Sequence, residues 1–451
     1  MRREYGKSEE CKCHIEYEVE GGRLLDFIRR SPSPFHVVSN IKERLLEKGF
    51  QELKEHELWD MTEGGNYFVT RNESSLMAFR IPGKDFQGFQ IIASHSDSPS
   101  FKIKENASME SEKRYTKLNV ERYGGMLCAP WFDRPLSVAG RIMVRQEGKI
   151  CSKLVNIDRD LLLIPSLAIH MNREANEGYK YNIQTDLLPL LGDERAKDRF
   201  MELVAEEAGV RPEDIIADDL FLYNRQAGTI WGANKEYLSS PKLDDLECVW
   251  TSLEGFVRSE GSENVCVFCT FDNEEVGSVT KQGAASTFLK DTLLRINWGM
   301  DRNEEQYYTA LASSFMISAD GAHAVHPNKG EKTDPVNRPY LNGGIVLKYS
   351  ANQKYTTDAV SAAVMKTICE KAEIPVQVFV NRSDMAGGST LGNLSNTQVA
   401  VNTADIGVAQ LAMHSSYETS GVKDVRYLVR LAEEFYSSTI SVDADGGYDI
   451  G

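Results

Sequence analysis

The sequence predicts an α/β domain on a mostly parallel sheet flanked by helices, interrupted by an inserted β-rich domain. Three observations predict it. Apolar strand-like runs alternate with helix-period segments over the first hundred residues and again after about 235, which implies a parallel sheet covered on both faces. Between about 98 and 235 this texture gives way to short β-like runs, turns and one or two helices. Several apolar runs also stop abruptly on His, Asp or Glu, the edge at which open α/β sheets bind ligands. The reading is therefore a discontinuous domain of residues 1–97 and 236–451, with an insert at 98–235.

At 451 residues the chain is too long for one small core, so more than one domain is expected. SPSPFHVVSNIKERLLEKGF (31–50) opens a helix, with Ser33 as N-cap and Pro34 in the first turn. Its Val38, Ile41, Leu45 and Leu46 recur at helical spacing. FQGFQIIAS then reads as a buried strand ending in polar residues. Inside the insert, AGRIMVRQ and KICSKLVNI read as strands. KLDDLECVWTSLEGFVRS restores a helical period. VCVFCTF, FMISAD and VQVFVN are further strands, a long helix begins near Thr356, and VKDVRYLVRLAEEFYSS closes the chain as a helix.

Composition removes several function classes. A net charge of −16 argues against a nucleic-acid partner, which needs clustered Lys and Arg. No apolar run approaches the ~20 residues that span a bilayer. The N-terminal MRREYGKSEECKCHIEYEVEGG lacks the apolar core of a signal peptide, so a cytoplasmic protein is expected. Eight cysteines without framework spacing fit a reducing compartment. Cys11, Cys13 and His14 offer half a metal site with no second half, and read as a solvated arm. Cys266 and Cys269 lie on a strand, where residues three apart face opposite sides, so they are structural rather than a redox pair.

The chemistry lies at the strand ends. IIAS runs into His95-Ser96-Asp97, VCVFCTF into Asp272-Asn273-Glu274-Glu275, FMIS into Asp320 with His323 and His326 behind, and Leu411-Ala412-Met413 into His414. Asp244 opens the helix of KLDDLE. Imidazoles and carboxylates together form the N/O donor set that Zn²⁺, Co²⁺ or Mn²⁺ accepts. A shared carboxylate can bridge two ions ~3.5–4 Å apart, which polarise a carbonyl and activate a water. In His95-x-Asp97 the aspartate can accept from the imidazole and fix its tautomer. Of the adjacent glutamates, one can bind metal while its neighbour takes the proton of the attacking water and passes it to the leaving amine. Alone, each element is ordinary: a His-x-Asp turn, a solvated Glu-Glu, a capping Asp. Their common placement points to a metal centre.

These residues also carry a resemblance. The chain resembles the aspartyl aminopeptidase and aminopeptidase I family of dinuclear zinc metallopeptidases. It does so through HSDSPSFKIK (95–104), YGG and WFDRPLSVAGR (123–141), IPSLAIHMNR (164–173), KLDDL (242–246), DNEEVGS (272–278), SADGAHAVHPN (318–328), GGSTLG (387–392) and DIGVAQLAMHSSYE (405–418). The resemblance implies a zinc-exopeptidase fold and hydrolysis of the N-terminal residue of peptides with free N-termini. It implies two divalent ions per subunit, held by His95, Asp244, Glu275, Asp320 and His414, with Asp244 bridging. Glu274 would be the catalytic base and Asp97 the orienter of His95. His170 matches a histidine that reaches the active site of a neighbouring subunit, while His323, Lys348 and Tyr355 match substrate-contacting positions. The insert would serve dimerisation, within a dodecamer built from dimers. Asp245 stands where asparagine is common, and Lys354 where acid-specific members carry arginine. The preferred N-terminal residue, acidic or neutral, therefore stays open.

Two other readings share the motifs: a deblocking aminopeptidase or amidohydrolase, and a non-catalytic assembly protein on the same fold. The segments around His170 and His414 favour the first reading. An assembly protein would be expected to lose Glu274 or a ligand, and none is lost.

Overall fold

A computed structural model describes the backbone of residues 2–451, with side chains from residue 15 onward. The Cys11, Cys13 and His14 side chains lie outside the described residues.

The main sheet has nine strands. Its order is Gln51–Leu53, Asn66–Arg71, Ser75–Arg80, Val265–Phe271, Phe89–His95, Phe315–Ala319, Asn402–Gly407, Ile345–Tyr349 and Val376–Val380. The centre is parallel: Val265–Phe271, Phe89–His95, Phe315–Ala319 and Asn402–Gly407 all run the same way. Antiparallel pairs enter on both sides of it. The Asn66–Arg71 hairpin joins Val265–Phe271 through Ser75–Arg80, and Ile345–Tyr349 runs against Asn402–Gly407.

Every residue of Phe89–His95 and Val265–Phe271 is buried, because helices cover both faces. Ile92, Cys266 and Phe268 pack into one core with helices Pro34–Glu47, Leu243–Arg258 and Val422–Ser437. Ile91, Ala93, Val267 and Cys269 pack into the opposite core, with helices Phe288–Gly299 and Glu304–Ala312. Cys266 and Cys269 thus enter different cores as free thiols, and burial raises the pKa of each. The helix from Pro34 begins where Ser33 and Pro34 predict. Its Ser33 hydroxyl, however, meets His36 Nδ1 at 2.8 Å and makes no bond to the helix N–H groups.

The strands between 100 and 224 form a six-stranded antiparallel sheet with its own core, which includes Phe101, Leu118, Trp131, Val138 and Leu222. Gly140 is required there, since a Cβ would strike the Asp219 carbonyl of the paired strand. A smaller sheet joins Thr229–Trp231, Tyr237–Ser240, Glu418–Gly421, Ala409–Leu411 and Ala322–His323. Its strands come from three stretches of the chain, 229–240, 322–323 and 409–421, the last two directly following main-sheet strands. Among the described residues, no helix is long and apolar enough to cross a membrane.

Candidate metal centre

Three adjacent parallel strands end together. Phe271 pairs with His95 across one boundary, and Ser318 with Ala93 across the next. His95, the Asp272–Glu275 turn and Asp320 therefore meet at one edge. The small sheet supplies the remainder. Tyr237–Ser240 leads through Pro241 to Asp244, and the Ala409–Leu411/Glu418–Gly421 hairpin carries His414 in its turn. Asp244 departs from helical geometry inside the first turn of its helix, and the Asp244–Asp245 peptide is cis.

The donors converge on Asp244. Its Oδ1 lies 3.4 Å from His95 Nε2, and its Oδ2 lies 3.4 Å from His414 Nε2. Asp320 Oδ1 is 3.9 Å from His95 Nε2, and Glu275 Oε2 is 3.5 Å from His414 Nε2. Three overlapping groups result, His95 with Asp244, Asp245 and Asp320, His95 with Glu274 and Glu275, and Asp244 with Glu275 and His414, each with donor atoms within 4.8 Å of one another.

The electrostatics fit a cation site. Burial, reinforced by the carboxylates of Asp320, Asp97 and Asp244 and opposed by His95, pushes Glu274 up to about 8. Burial likewise raises Glu275, Asp245 and Asp320. At Asp244 burial acts in the same direction, but the neighbouring imidazoles of His414 and His95 outweigh it and hold the carboxyl well below the usual range. Asp244 Oδ1, Asp245 Oδ1 and Glu275 Oε1 are buried without hydrogen-bond partners. Buried carboxylate oxygens without donors are costly unless a cation takes them up.

Asp97 does more than the His-x-Asp spacing suggests. Its Oδ1 lies 3.3 Å from His95 Nδ1, but its backbone carbonyl is nearer, at 3.1 Å. The carboxylate accepts from Tyr123 Oη at 2.6 Å and from the N–H groups of Glu274 and Glu275 at 3.1 and 3.2 Å. It thereby anchors the tight turn that follows Asn273, whose φ is +64°. Gly124 of the insert packs directly on Glu275, so the two sheets meet at this turn.

A cavity of about 330 Å³ opens over the centre, lined by His95, Asp244, Glu274, Asp320 and His414 and walled by His323, Lys348, Tyr355 and Phe379. Glu275 is not among its lining residues. Lys348 is buried and committed: its Nζ donates to the carbonyls of Asp320 and Gly321 at 3.1 Å each, and lies 3.8 Å from Asp320 Oδ2. His170 stands apart, exposed on a loop of the insert and not among the residues lining this cavity. Lys354 is also exposed and lines a separate groove with Asn352, Asn381 and Arg382.

A family model described as aminopeptidase I zinc metalloprotease (M18) matches residues 27–436. The chain belongs to the M18 family. It is a metal-dependent aminopeptidase, and the buried His/Asp/Glu cluster is able to hold a metal. A probable M18 family aminopeptidase 2 of Clostridium acetobutylicum is 50% identical over 424 residues, covering 92% of this chain and 98% of that one. Among solved structures, that of the Ape4 and Nbr1 complex superposes with a TM-score of 0.91 at 36% identity, covering 94% of this chain and 86% of that one. The dodecamer of yeast mApe1 gives 0.82 at 29% identity, covering 93% and 97%.

Sequence reasoning passed over Tyr123, Glu418 and the structural duty of Lys348. Glu418 Oε2 accepts from Asp244 N–H at 3.0 Å, and its Oε1 from His414 N–H at 2.7 Å. Its one sequence signal is an acid placed four residues after His414 in a short polar segment, which is too common to single out.

Proposed function

We propose that this M18 aminopeptidase removes the N-terminal residue of peptides at a centre of two divalent ions bridged by Asp244, with Glu274 as general base. The observation that carries the reading is the disposition of Asp244, whose two oxygens each face a different histidine at 3.4 Å. One ion would be held by His95, Asp320 and Asp244, the other by His414, Glu275 and Asp244. Bound there, zinc, cobalt or manganese supplies Lewis-acid polarisation of the scissile carbonyl and makes a water more acidic.

The chain's own groups do the rest. Glu274 faces the cavity, whereas Glu275 turns to His414. Glu274 therefore takes the proton of the attacking water and delivers it to the leaving amine. Asp97 holds the turn that aims Glu274 and sets the orientation of His95. Lys348 fixes Asp320 from behind, and His323 and Tyr355 form the wall against which the substrate's first residue lies. His170 acts from a neighbouring subunit. Its loop exposes Leu167, Ile169 and Met171, apolar surface suited to an interface. The insert at 98–235 is accordingly the dimerisation domain. The assembly is a homododecamer like that of yeast mApe1, and the compartment is the cytoplasm.

Elemental analysis of three variants tests the bridge. Asp244→Asn should lose affinity for both ions, while His95→Ala and His414→Ala each lose one. An Asp244→Asn protein that keeps both ions at wild-type affinity would sink the proposal.

A further inference from the structure

Each group in the centre is held from behind by a buried ionisable side chain bonded to its backbone. Asp245 accepts from His95 N–H at 3.1 Å, Asp97 from both glutamate N–H groups, and Lys348 donates to the Asp320 carbonyl. One carboxylate does this for two ligands from distant segments. Glu418, 1% exposed, clasps the N–H of Asp244 with one oxygen and that of His414 with the other.

Neither loop is held at these points by a regular ladder. Asp244 sits at a kink inside its helix, and Ala412 and His414 adopt left-handed backbone conformations, at φ +57° and +63°, that L-residues disfavour. The small sheet brings the loops near each other, pairing Ser240 with Glu418 and Gln410 with Ser420. Ser98 Oγ donates to the Asp244 carbonyl at 2.9 Å and Leu127 N–H to the His414 carbonyl at 3.0 Å, but Glu418 alone among these groups bonds both ligands and so sets their separation. Its two bonds, at 3.0 and 2.7 Å, tie one rigid carboxyl group to both backbones. Glu418 is not itself in any of the ligand groups.

We propose that Glu418 is a positioning residue for the second ion, fixing the bridging Asp244 and His414 at the separation that ion requires. The inference rests on the two-ion reading above. The clasp weighs more on one half of the centre: it places two ligands of that ion, Asp244 and His414, but only Asp244 of the other, because the backbones of His95 and Asp320 are held by Asp245 and Lys348.

Glu418→Gln tests it. The carboxamide has the same shape but offers one acceptor, and sets an NH₂ against the other N–H. In equilibrium dialysis of the full chain against buffered Zn²⁺, the variant should lose less affinity for the ion of His95 and Asp320, of whose three ligands only Asp244 is loosened. It should bind the other about 10–100-fold more weakly, the usual effect of removing a group that orients a metal ligand. Two ions at wild-type affinity in the variant would overturn the proposal alone. A single ion in the wild type would overturn the two-ion reading and this proposal with it. If Glu418→Gln does not fold, hydrogen exchange on chelator-treated wild-type protein decides. Slow exchange of the Asp244 and His414 amides without metal supports a clasp made by Glu418. Exchange as fast as that of an exposed turn shows that the metal, not the carboxylate, orders the loops.

Discussion

Glu274 and Glu275 are neighbours of identical chemistry placed in different surroundings. Glu274 looks into the cavity, while Glu275 has one oxygen beside His414 and the other buried without a partner. Equal substitutions should therefore fail differently. Glu274→Gln keeps size and hydrogen bonding but cannot take a proton, so kcat should fall by the ~10²–10⁴ usual for a general base, with both ions and substrate still bound. Glu275→Gln should weaken one ion, since a neutral amide is a poor ligand for a dication, and excess metal should restore part of its activity. Metal content and turnover of the two proteins decide the assignment. Loss of metal in Glu274→Gln with retention in Glu275→Gln would exchange the roles.

At the scale of elements, the centre depends on strands that stop in register. Gly407 shows how close the tolerance is. A Cβ there would collide with the Asp320 carbonyl, so Gly407→Ala should displace Asp320 and weaken the ion shared with His95 while leaving the cores intact. Phe268→Ala should do the reverse. It empties a fully buried core site that supplies no ligand and should cost about 3–5 kcal/mol of stability. Denaturant midpoints and zinc affinity, measured on both variants, separate the two effects; equal loss of metal affinity in both would argue against them.

This scale also explains what was legible in the sequence. The Phe89–His95, Val265–Phe271 and Phe315–Ala319 strands announce themselves as continuous apolar runs because both faces are buried. Polar residues just past them were therefore visible as a group. The small sheet was not. Tyr237–Ser240 and Glu418–Gly421 are short and rich in Ser and Thr, without the alternation that marks a strand. Hence Glu418 escaped notice, as did the antiparallel edges of the main sheet, whose direction depends on long-range pairing rather than on local pattern. Tyr123 lies at the end of an insert strand and reaches Asp97 only because two separate sheets meet.

For the molecule as a whole, the proposed dimerisation role of the insert would link the centre to assembly. Gly124 of the insert lies against Glu275 within the same chain, while the exposed His170 is not among the residues lining that chain's cavity. If His170 completes a neighbour's site, neither His170→Ala nor Glu274→Gln alone should turn over substrate well. Mixing the two under subunit exchange should restore activity, because some sites then combine an intact Glu274 with an intact His170. A stable, fully active monomer in light scattering would contradict both the assembly and the role of His170. The central claim, two ions sharing Asp244, is tested most directly by returning Zn²⁺ stepwise to chelated enzyme while bound metal and aminopeptidase activity are followed together. The account predicts full activity only as occupancy approaches two ions per chain; full activity at one tightly held ion, with no gain on adding a second, would contradict it.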